Sequence, residues 1–216
     1  TTTMKMLTGL LRPSAGRAWV ASMDVVTQSL ALKQRIGVVP EDLCLFERLT
    51  GAEFLHFAGR MHGLSRAEVA RRAQELLELM ELERQPRALI VEYSHGMKKK
   101  LSLAAALIHS PQMLFLDEPF EGVDALASRT LKDLLSRLTA RGMTIFLTSH
   151  VLEIVERLCT HVAIIHQGRI VAEGPLDALR QGPEGPPVSL EAFFISQVGG
   201  EPHAAQALDW LYGSAL

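Results

Sequence analysis

Two adjacent carboxylates, Asp117 and Glu118, follow an apolar run at residues 113–116. A short, continuous apolar run of this kind predicts a strand that is buried on both faces of a sheet. Acids at the carboxyl end of such a strand can hold a hydrated metal ion and supply a general base at the ligand crevice of an α/β fold. By itself the pattern is equally typical of two solvated acids with no catalytic role, so its meaning depends on the motifs around it.

Two further polar motifs lie at the ends of neighbouring elements. Ser94 and Gly96 precede an apolar pattern with helical spacing, and the free N–H groups of a helix N-terminus can bind an anion. His150 comes two residues after the apolar run 144–148, which places it at the same sheet edge as the two carboxylates if the strands are parallel. The alternatives are an ordinary serine N-cap and a histidine that only caps a helix.

A sheet with covering helices is needed to position these motifs. Apolar runs at 36–39, 113–116 and 144–148 predict strands, and segments with helical periodicity alternate with them. This alternation predicts an α/β fold with a mainly parallel sheet flanked by helices. The other predicted elements are helices at 4–11, 29–35, about 96–110, 125–141 and 151–158, a turn and strand at 16–25, and strands at 162–165 and 169–172 joined by a turn at Gln167 and Gly168.

Residues 50 to about 110 are predicted to form an inserted, mostly helical lobe. Thr50-Gly-Ala-Glu53 and Ser65-Arg-Ala-Glu68 are two capping boxes, each of which opens an amphipathic helix. The predicted organisation along the chain has three parts: a domain at 1–180, a Gly- and Pro-rich linker at 181–187, and a helical tail at 188–216 that begins with a helix at 189–198.

Charge and composition argue against several classes of protein. The 216 residues carry 22 Lys and Arg against 24 Asp and Glu, a formal net charge of −2, which does not favour a nucleic-acid partner. The longest apolar run, 103–108, is far shorter than the roughly 20 residues that span a bilayer. Cys44 and Cys159 have no CxxC pattern and no His at ligand spacing, so neither a zinc site nor a disulfide framework is predicted. The basic run 98–100 is predicted to be a solvated helix face.

Ordered motifs along nearly the whole chain resemble those of the ATP-binding cassette (ABC) ATPases. The first ten residues are similar to the segment that follows the family's Gly-rich phosphate loop and its Lys. The others are a Q-loop at Val38-Val-Pro-Glu41, a signature at Ser94-His-Gly-Met-Lys-Lys-Lys-Leu101, a Walker B strand at 114–119, a D-loop at Gly122-Val-Asp124 and an H-loop at Thr148-Ser-His150. The resemblance implies a P-loop NTPase-like fold that binds ATP with Mg²⁺ and hydrolyses ATP.

The sequence departs from the family pattern at several positions. Glu41 stands where the family usually has Gln, which places an acceptor-only anion near the metal. His95 replaces the first signature Gly and Met97 replaces the usual Gln, whereas Ser94 and Gly96 are kept. The Gly-rich phosphate loop and its Lys do not occur in the 216 residues. We therefore expect an N-terminally truncated chain that by itself binds ATP weakly and hydrolyses it negligibly.

Taken motif by motif, the resemblance implies a role for each polar residue near the nucleotide. Thr1, Asp117 and Glu41 would hold Mg²⁺, directly or through water. Glu118 would polarise the attacking water, and His150 would contact the γ-phosphate.

Three other residues would act across a dimer. Ser94 and Gly96 would complete the ATP site of the opposite subunit, and Asp124 would link the two sites. The resemblance thus implies a second ATPase subunit as a partner, with two ATP molecules held between two cassettes.

The resemblance favours the nucleotide-binding subunit of a membrane transporter, from the exporter branch whose membrane subunit is a separate chain of the ABC-2 type. Its partner would be a transmembrane permease subunit, and the protein would lie in the cytoplasm at the inner face of the membrane. The sequence does not identify the transported substrate, because the cargo contacts the membrane subunit. Two alternatives stay open: a soluble ABC ATPase that acts on ribosomes or DNA, and a catalytically silent interaction module.

The segment 41–61 carries more apolar side chains than the core of a helix–strand junction needs. We predict that part of it, including Leu45, Phe46 and Phe57, is exposed as a docking groove for a helix of the permease. Its rim would consist of the charged residues Glu41, Asp42, Glu47 and Arg48. In the alternative, these apolar side chains pack the interior of the lobe.

Overall fold

The computed structural model describes residues 1–181 and 188–199, which fall into two compact units, Thr1–His150 and a second unit that begins at Val151. The helices are α1 (Thr2–Leu7), α2 (Ser29–Lys33), α3 (Gly51–Met61), α4 (Arg66–Leu79), α5 (His95–Leu107), α6 (Ala125–Ala140), α7 (Leu152–Leu158), α8 (Leu176–Arg180) and α9 (Leu190–Val198). The strands are β1 (Trp19–Val20), β2 (Met23–Asp24), β3 (Ile36–Val39), β4 (Met113–Asp117), β5 (Thr144–Thr148), β6 (His161–His166) and β7 (Arg169–Pro175). No helix in these ranges has the length and apolar character needed to cross a membrane.

A parallel three-stranded sheet in the order β3-β4-β5 lies in the first unit. Asp117 at the end of β4 pairs with Thr148 at the end of β5, so the polar strand ends meet at one edge. Helix α5 packs against β3 so closely that a Cβ atom on Gly37 would lie 2.4 Å from the Ala106 carbonyl oxygen. The sheet and its helices confirm the predicted α/β fold.

Helices α3, α4 and α5 lie between β3 and β4 in the chain and pack on one another as a helical lobe. At the start of α3 the Thr50 N–H donates to the Glu53 carboxylate over 2.8 Å, and the Glu53 N–H donates to Thr50 Oγ1 over 3.3 Å. Ser65 and Glu68 form the same reciprocal pair at the start of α4. Each box satisfies N–H groups that the first turn leaves without an intrahelical partner. Both predicted capping boxes are therefore confirmed.

The N-terminal helix is shorter than predicted. Its apolar stripe predicted a helix as far as Leu11, but α1 ends at Leu7. The Thr8 hydroxyl donates to the Met4 carbonyl over 2.9 Å, and Gly9 adopts a left-handed φ of 68°, which turns the chain out of the helix. The predicted turn and strand at 16–25 is instead the short antiparallel pair β1 and β2.

The second unit contains an antiparallel hairpin of β6 and β7, at the two strands predicted for 162–165 and 169–172. The predicted turn is confirmed: Gln167 and Gly168 both have positive φ, as a tight two-residue hairpin requires. The core of this unit includes Val155, Ile164 and Leu190. Most of the predicted linker and the end of the predicted tail, 182–187 and 200–216, lie outside the described residues, whereas α9 matches the helix predicted at 189–198.

Candidate functional site

The polar edge of the parallel sheet brings together the residues Thr1, Glu41, Asp117, Glu118, Thr148 and His150. The Asp117 side chain is fully buried, and its Oδ1 accepts hydrogen bonds from the Thr1 hydroxyl at 3.1 Å and from the Thr148 hydroxyl at 2.5 Å. The Thr1 hydroxyl also lies 3.3 Å from Glu41 Oε2. The structure thus places side by side three residues that were predicted to hold a metal ion: Thr1, Glu41 and Asp117.

Glu118 has a constrained backbone. Its φ of 46° lies in the left-handed region, which costs a residue with a side chain about 1–3 kcal/mol. Its N–H donates to Thr148 Oγ1 over 3.2 Å, and its carbonyl accepts from Lys99 Nζ over 2.9 Å. Both backbone polar groups are therefore held, and the carboxylate points to His150, whose Nδ1 lies 3.1 Å from Glu118 Oε2.

The two predicted catalytic residues differ in exposure. The Glu118 side chain is 17% exposed and the His150 side chain 67% exposed. The hydrogen bond that the His150 ring donates to the Glu118 carboxylate, followed by the attraction of that negative charge, raises the pKa of the His150 imidazole above its ordinary value. The pair can therefore hold a proton at the edge of the sheet, where the His150 ring is exposed.

The donor set of the polar edge fits Mg²⁺ bound together with a phosphate ligand. Asp117 Oδ2 is buried and has no hydrogen-bond partner among the described residues, although a buried acceptor is normally satisfied. Within the same residues no three His, Cys, Asp or Glu side chains are grouped as a metal cage. Mg²⁺ needs no such cage, because it commonly takes one or two carboxylates and fills its shell with water and phosphate oxygens. Asp117, Thr1 and Glu41 are the residues that could hold it.

A second group of predicted residues lies at the start of α5. Ser94 caps this helix by accepting from the Met97 N–H at 3.3 Å. Asp124 caps α6 by accepting from the N–H groups of its first turn, and a Cβ atom on Gly96 would lie 3.4 Å from Asp124 Oδ2. Signature and D-loop residues are therefore neighbours within one chain. In the described residues no hydrogen bond or ion pair joins Ser94, Gly96 or Asp124 to the polar edge.

The ring of His95, which stands where the family usually has Gly, lies against the D-loop. A Cβ atom added to Gly122 would come within 2.9 Å of the His95 ring, and Gly122 has a left-handed φ of 66°. Only glycine fits that position without a shift, because both the space and the backbone conformation exclude a side chain.

The prediction that residues 98–100 form a solvated basic face is wrong. Lys99 and Lys100 are 3% and 8% exposed. Each lysine has a different partner: Lys98 Nζ lies 2.9 Å from Glu47, Lys99 Nζ binds the Glu118 carbonyl, and Lys100 Nζ lies 3.1 Å from Glu81. Because consecutive residues of a helix point in directions about 100° apart, three adjacent lysines reach three separate parts of the first unit.

An aromatic patch, defined by Phe46, Phe54 and Phe57, is exposed beside the lobe. The Phe46 ring makes edge-on contacts with Phe54 at 6.0 Å and Phe57 at 5.1 Å between centroids. Phe46 is 50% exposed and Phe57 44% exposed, whereas Leu55 on the same helix is buried and Leu45 is half-buried. Part of segment 41–61 thus packs inside and part remains available to a partner.

Sequence reasoning missed two contributors to the site. Thr148 enters the sequence analysis only as the first residue of the H-loop motif, yet its hydroxyl both donates to Asp117 and accepts from the Glu118 N–H. The signal that could have found it is its position at the end of β5, directly opposite Asp117 in a parallel pair. Lys99 gave no such signal, because a lysine run is usually exposed.

The profile of the family described as ABC transporter matches residues 1–121. The daunorubicin resistance ATP-binding protein DrrA3 of Streptomyces coeruleorubidus is 37% identical over 199 residues, which are 92% of this chain and 63% of that protein. The Nod factor export ATP-binding protein I of Cupriavidus metallidurans is 38% identical over 174 residues, which are 81% of this chain and 57% of that protein. The chain spans less than two thirds of the length of either relative.

A solved structure, described as the ATP binding subunit of an ABC transporter, is also similar. It superposes with a TM-score of 0.81 at 32% sequence identity, and the match covers 91% of this chain and 82% of that chain. The similarity therefore extends over nearly all of the described fold.

Proposed function

Because the chain belongs to the ABC transporter family, we propose that it is the nucleotide-binding subunit of an exporter and that it binds and hydrolyses ATP. The observation that carries this proposal is the polar edge, where an oxygen of the buried Asp117 has no hydrogen-bond partner among the described residues and the next residue, Glu118, is a base. The name of one relative, an export ATP-binding protein, supports the direction of transport.

Asp117, Thr1 and Glu41 are the residues proposed to hold Mg²⁺ beside the phosphates of ATP. Bound there, Mg²⁺ would neutralise the charge that develops on the phosphates during phosphoryl transfer. Thr148 holds Asp117 through a 2.5 Å hydrogen bond to Oδ1, and Asp117 Oδ2 has no hydrogen-bond partner among the described residues. Glu41 supplies a second anion where the family usually has an amide.

Glu118 is proposed to orient the attacking water and accept its proton, and His150 to bind the γ-phosphate. The geometry supports this because the backbone of Glu118 is fixed at both polar groups while its carboxylate remains partly exposed. The protonated His150 imidazole can donate to a phosphate oxygen, and the nearby Glu118 favours that protonated form.

Ser94, Gly96 and Asp124 are proposed to act on the ATP bound by a second ATPase subunit. Their separation from the polar edge within one chain supports this, since residues that serve a partner's site need not contact the chain's own site. ATP bound between two such chains would close the dimer, and hydrolysis would let it reopen.

The aromatic patch is proposed to receive a helix of a transmembrane permease subunit, which would hold the protein at the cytoplasmic face of the membrane. Exposed Phe46 and Phe57 supply apolar contact area, and neighbouring Glu47 supplies charge at the rim. Lys98 of the signature helix α5 binds Glu47, so the docking segment is connected to the helix that serves the second ATP.

Transport is the test of this proposal. The complete gene product and its permease, reconstituted in vesicles, are expected to move substrate only with ATP and Mg²⁺ present. Hydrolysis that is undiminished in the absence of any permease, and that ribosomes or DNA stimulate instead, would overturn the exporter assignment.

A polypeptide of only these 216 residues, which contain no Gly-x-x-x-x-Gly-Lys loop, is expected to hydrolyse ATP negligibly. Robust turnover by that polypeptide would show that the phosphate contacts have been misassigned.

A further inference from the structure

Lys99 is a buried charge for which the proposed chemistry has no role. Its stem lines a small apolar cavity together with residues such as Leu103, Leu116 and Leu131. Burial lowers the pKa of its ammonium group, while the negative charges of Glu121, Glu41, Glu118 and Asp117 act in the opposite direction. An ammonium group is kept in such a place only with a strong compensating contact, because burying an unpaired charge is costly.

That contact is the carbonyl of Glu118, not a carboxylate. Lys99 Nζ donates to this carbonyl over 2.9 Å, and the Thr148 hydroxyl binds the N–H of the same residue over 3.2 Å. The backbone at Glu118 is in the left-handed region, which a residue with a side chain keeps only when its surroundings hold it there. The Lys99 ammonium group and the Thr148 hydroxyl are two of the contacts that keep Glu118 in this conformation.

We propose that Lys99 is a positioning residue for hydrolysis: by binding the Glu118 carbonyl it keeps the Glu118 carboxylate directed at the reacting water. The inference rests on the proposed ATPase function. Lys99 lies five residues after Ser94 on α5, so the helix that serves one ATP also holds the base that acts on the other. A shift of α5 when a second subunit binds would therefore reach Glu118 through a single hydrogen bond.

Lys99→Met and Lys100→Met make a matched pair for the test. Both remove a nearly buried ammonium group from the same helix, but Lys100 binds Glu81 of the lobe instead of the base. Measured on the complete gene product with its permease, Lys99→Met is expected to lower kcat by roughly 10²-fold, the loss typical of a misplaced catalytic group, with KM for ATP changed less than about threefold. Lys100→Met is expected to lower the thermal midpoint and leave kcat within about twofold.

Two further comparisons test whether Lys99 acts through Glu118: the conservative variant Lys99→Arg, and Lys99→Met combined with Glu118→Gln. Lys99→Arg keeps a donor for the Glu118 carbonyl and is expected to retain most of the wild-type kcat. The Lys99→Gln side chain is too short to reach that carbonyl, so this variant is expected to lose kcat as Lys99→Met does. In the Glu118→Gln background, Lys99→Met is expected to cause no further loss, since two residues that act as one unit are not additive. If Lys99→Met does not fold, the difference in kcat between Lys99→Arg and Lys99→Gln tests the positioning role.

The outcomes separate this inference from the proposed function. Full activity of a folded Lys99→Met or Lys99→Gln protein, or an equal loss in Lys100→Met, overturns the positioning role while Glu118→Gln remains inactive. Unchanged hydrolysis in Glu118→Gln overturns the role of Glu118 as the base, whereas a complete gene product that hydrolyses no ATP with its permease overturns the proposed function.

Discussion

The polar edge and the aromatic patch are built in opposite ways. At the polar edge, Asp117 is fully buried, hydrogen bonds join its Oδ1 to Thr1 and Thr148, and its Oδ2 has no hydrogen-bond partner within residues 1–181 and 188–199. At the aromatic patch, Phe46 and Phe57 are about half exposed and contact each other through ring edges. The first arrangement fixes a few atoms for chemistry, and the second offers apolar area for association. Substitutions in the two regions should therefore affect different measurements.

The largest effect is expected from Glu118→Gln in the complete gene product. The amide keeps the shape of the side chain but cannot accept a proton, so hydrolysis should fall on the order of 10²-fold or more while ATP stays bound. Single-turnover hydrolysis and retention of labelled ATP measure the two effects. Glu121→Gln, at an exposed acid on the same loop, is the matched control and should change kcat little. Equal losses in both variants would mean that general charge, not a specific base, drives the reaction.

A second effect is expected when a charge is placed in the aromatic patch. Phe46→Glu or Phe57→Glu should abolish co-purification with the permease, because a carboxylate would be buried without a partner in the interface. The fold should persist, since both side chains are largely exposed. Leu30→Glu, at an apolar residue exposed on α2, is the control. Unfolding of the patch variants, or an unchanged yield of complex, would place the docking surface elsewhere.

A smaller effect is expected at the helix that carries the patch. Thr50→Ala removes the side-chain cap of α3 and should lower the free energy of unfolding by about 1 kcal/mol. Ser65→Ala removes the same cap from α4 and should cost a similar amount, because both boxes have the same geometry. Urea titration followed by circular dichroism measures both. A loss several-fold larger at one site than at the other would show that the cap there also holds tertiary contacts.

The smallest change is expected in the titration of His150. Glu118 raises its pKa, so the ion pair is present below that raised pKa and is lost as the pH rises through it. In Glu118→Gln the His150 pKa should fall back towards its ordinary value. NMR titration of the His150 ring protons measures this shift without any turnover. An unchanged titration curve would mean that the two side chains do not interact in solution.

The sequence predicted elements wherever the signal is local. Both capping boxes, the strand at 144–148 and the hairpin turn at Gln167 and Gly168 follow from residue spacing over four or five positions. Helix α1 was predicted too long because its apolar stripe continues past Leu7, whereas Gly9 ends the helix by a backbone conformation that periodicity does not reveal.

The candidate site also has some features that local sequence predicts and others that depend on tertiary packing. Residue types and spacing alone identified Asp117 and Glu118 as acids at a strand end, and their family role came from the order of motifs along the chain. Only the tertiary structure brings Thr1 and Glu41 to Asp117 and buries Lys99 against the Glu118 carbonyl. It also leaves Asp117 Oδ2 without a hydrogen-bond partner in the part of the chain that it describes. The physical reason is range: a cap or turn forms among neighbours in sequence, whereas the burial and partner of a charge depend on residues that only packing brings near.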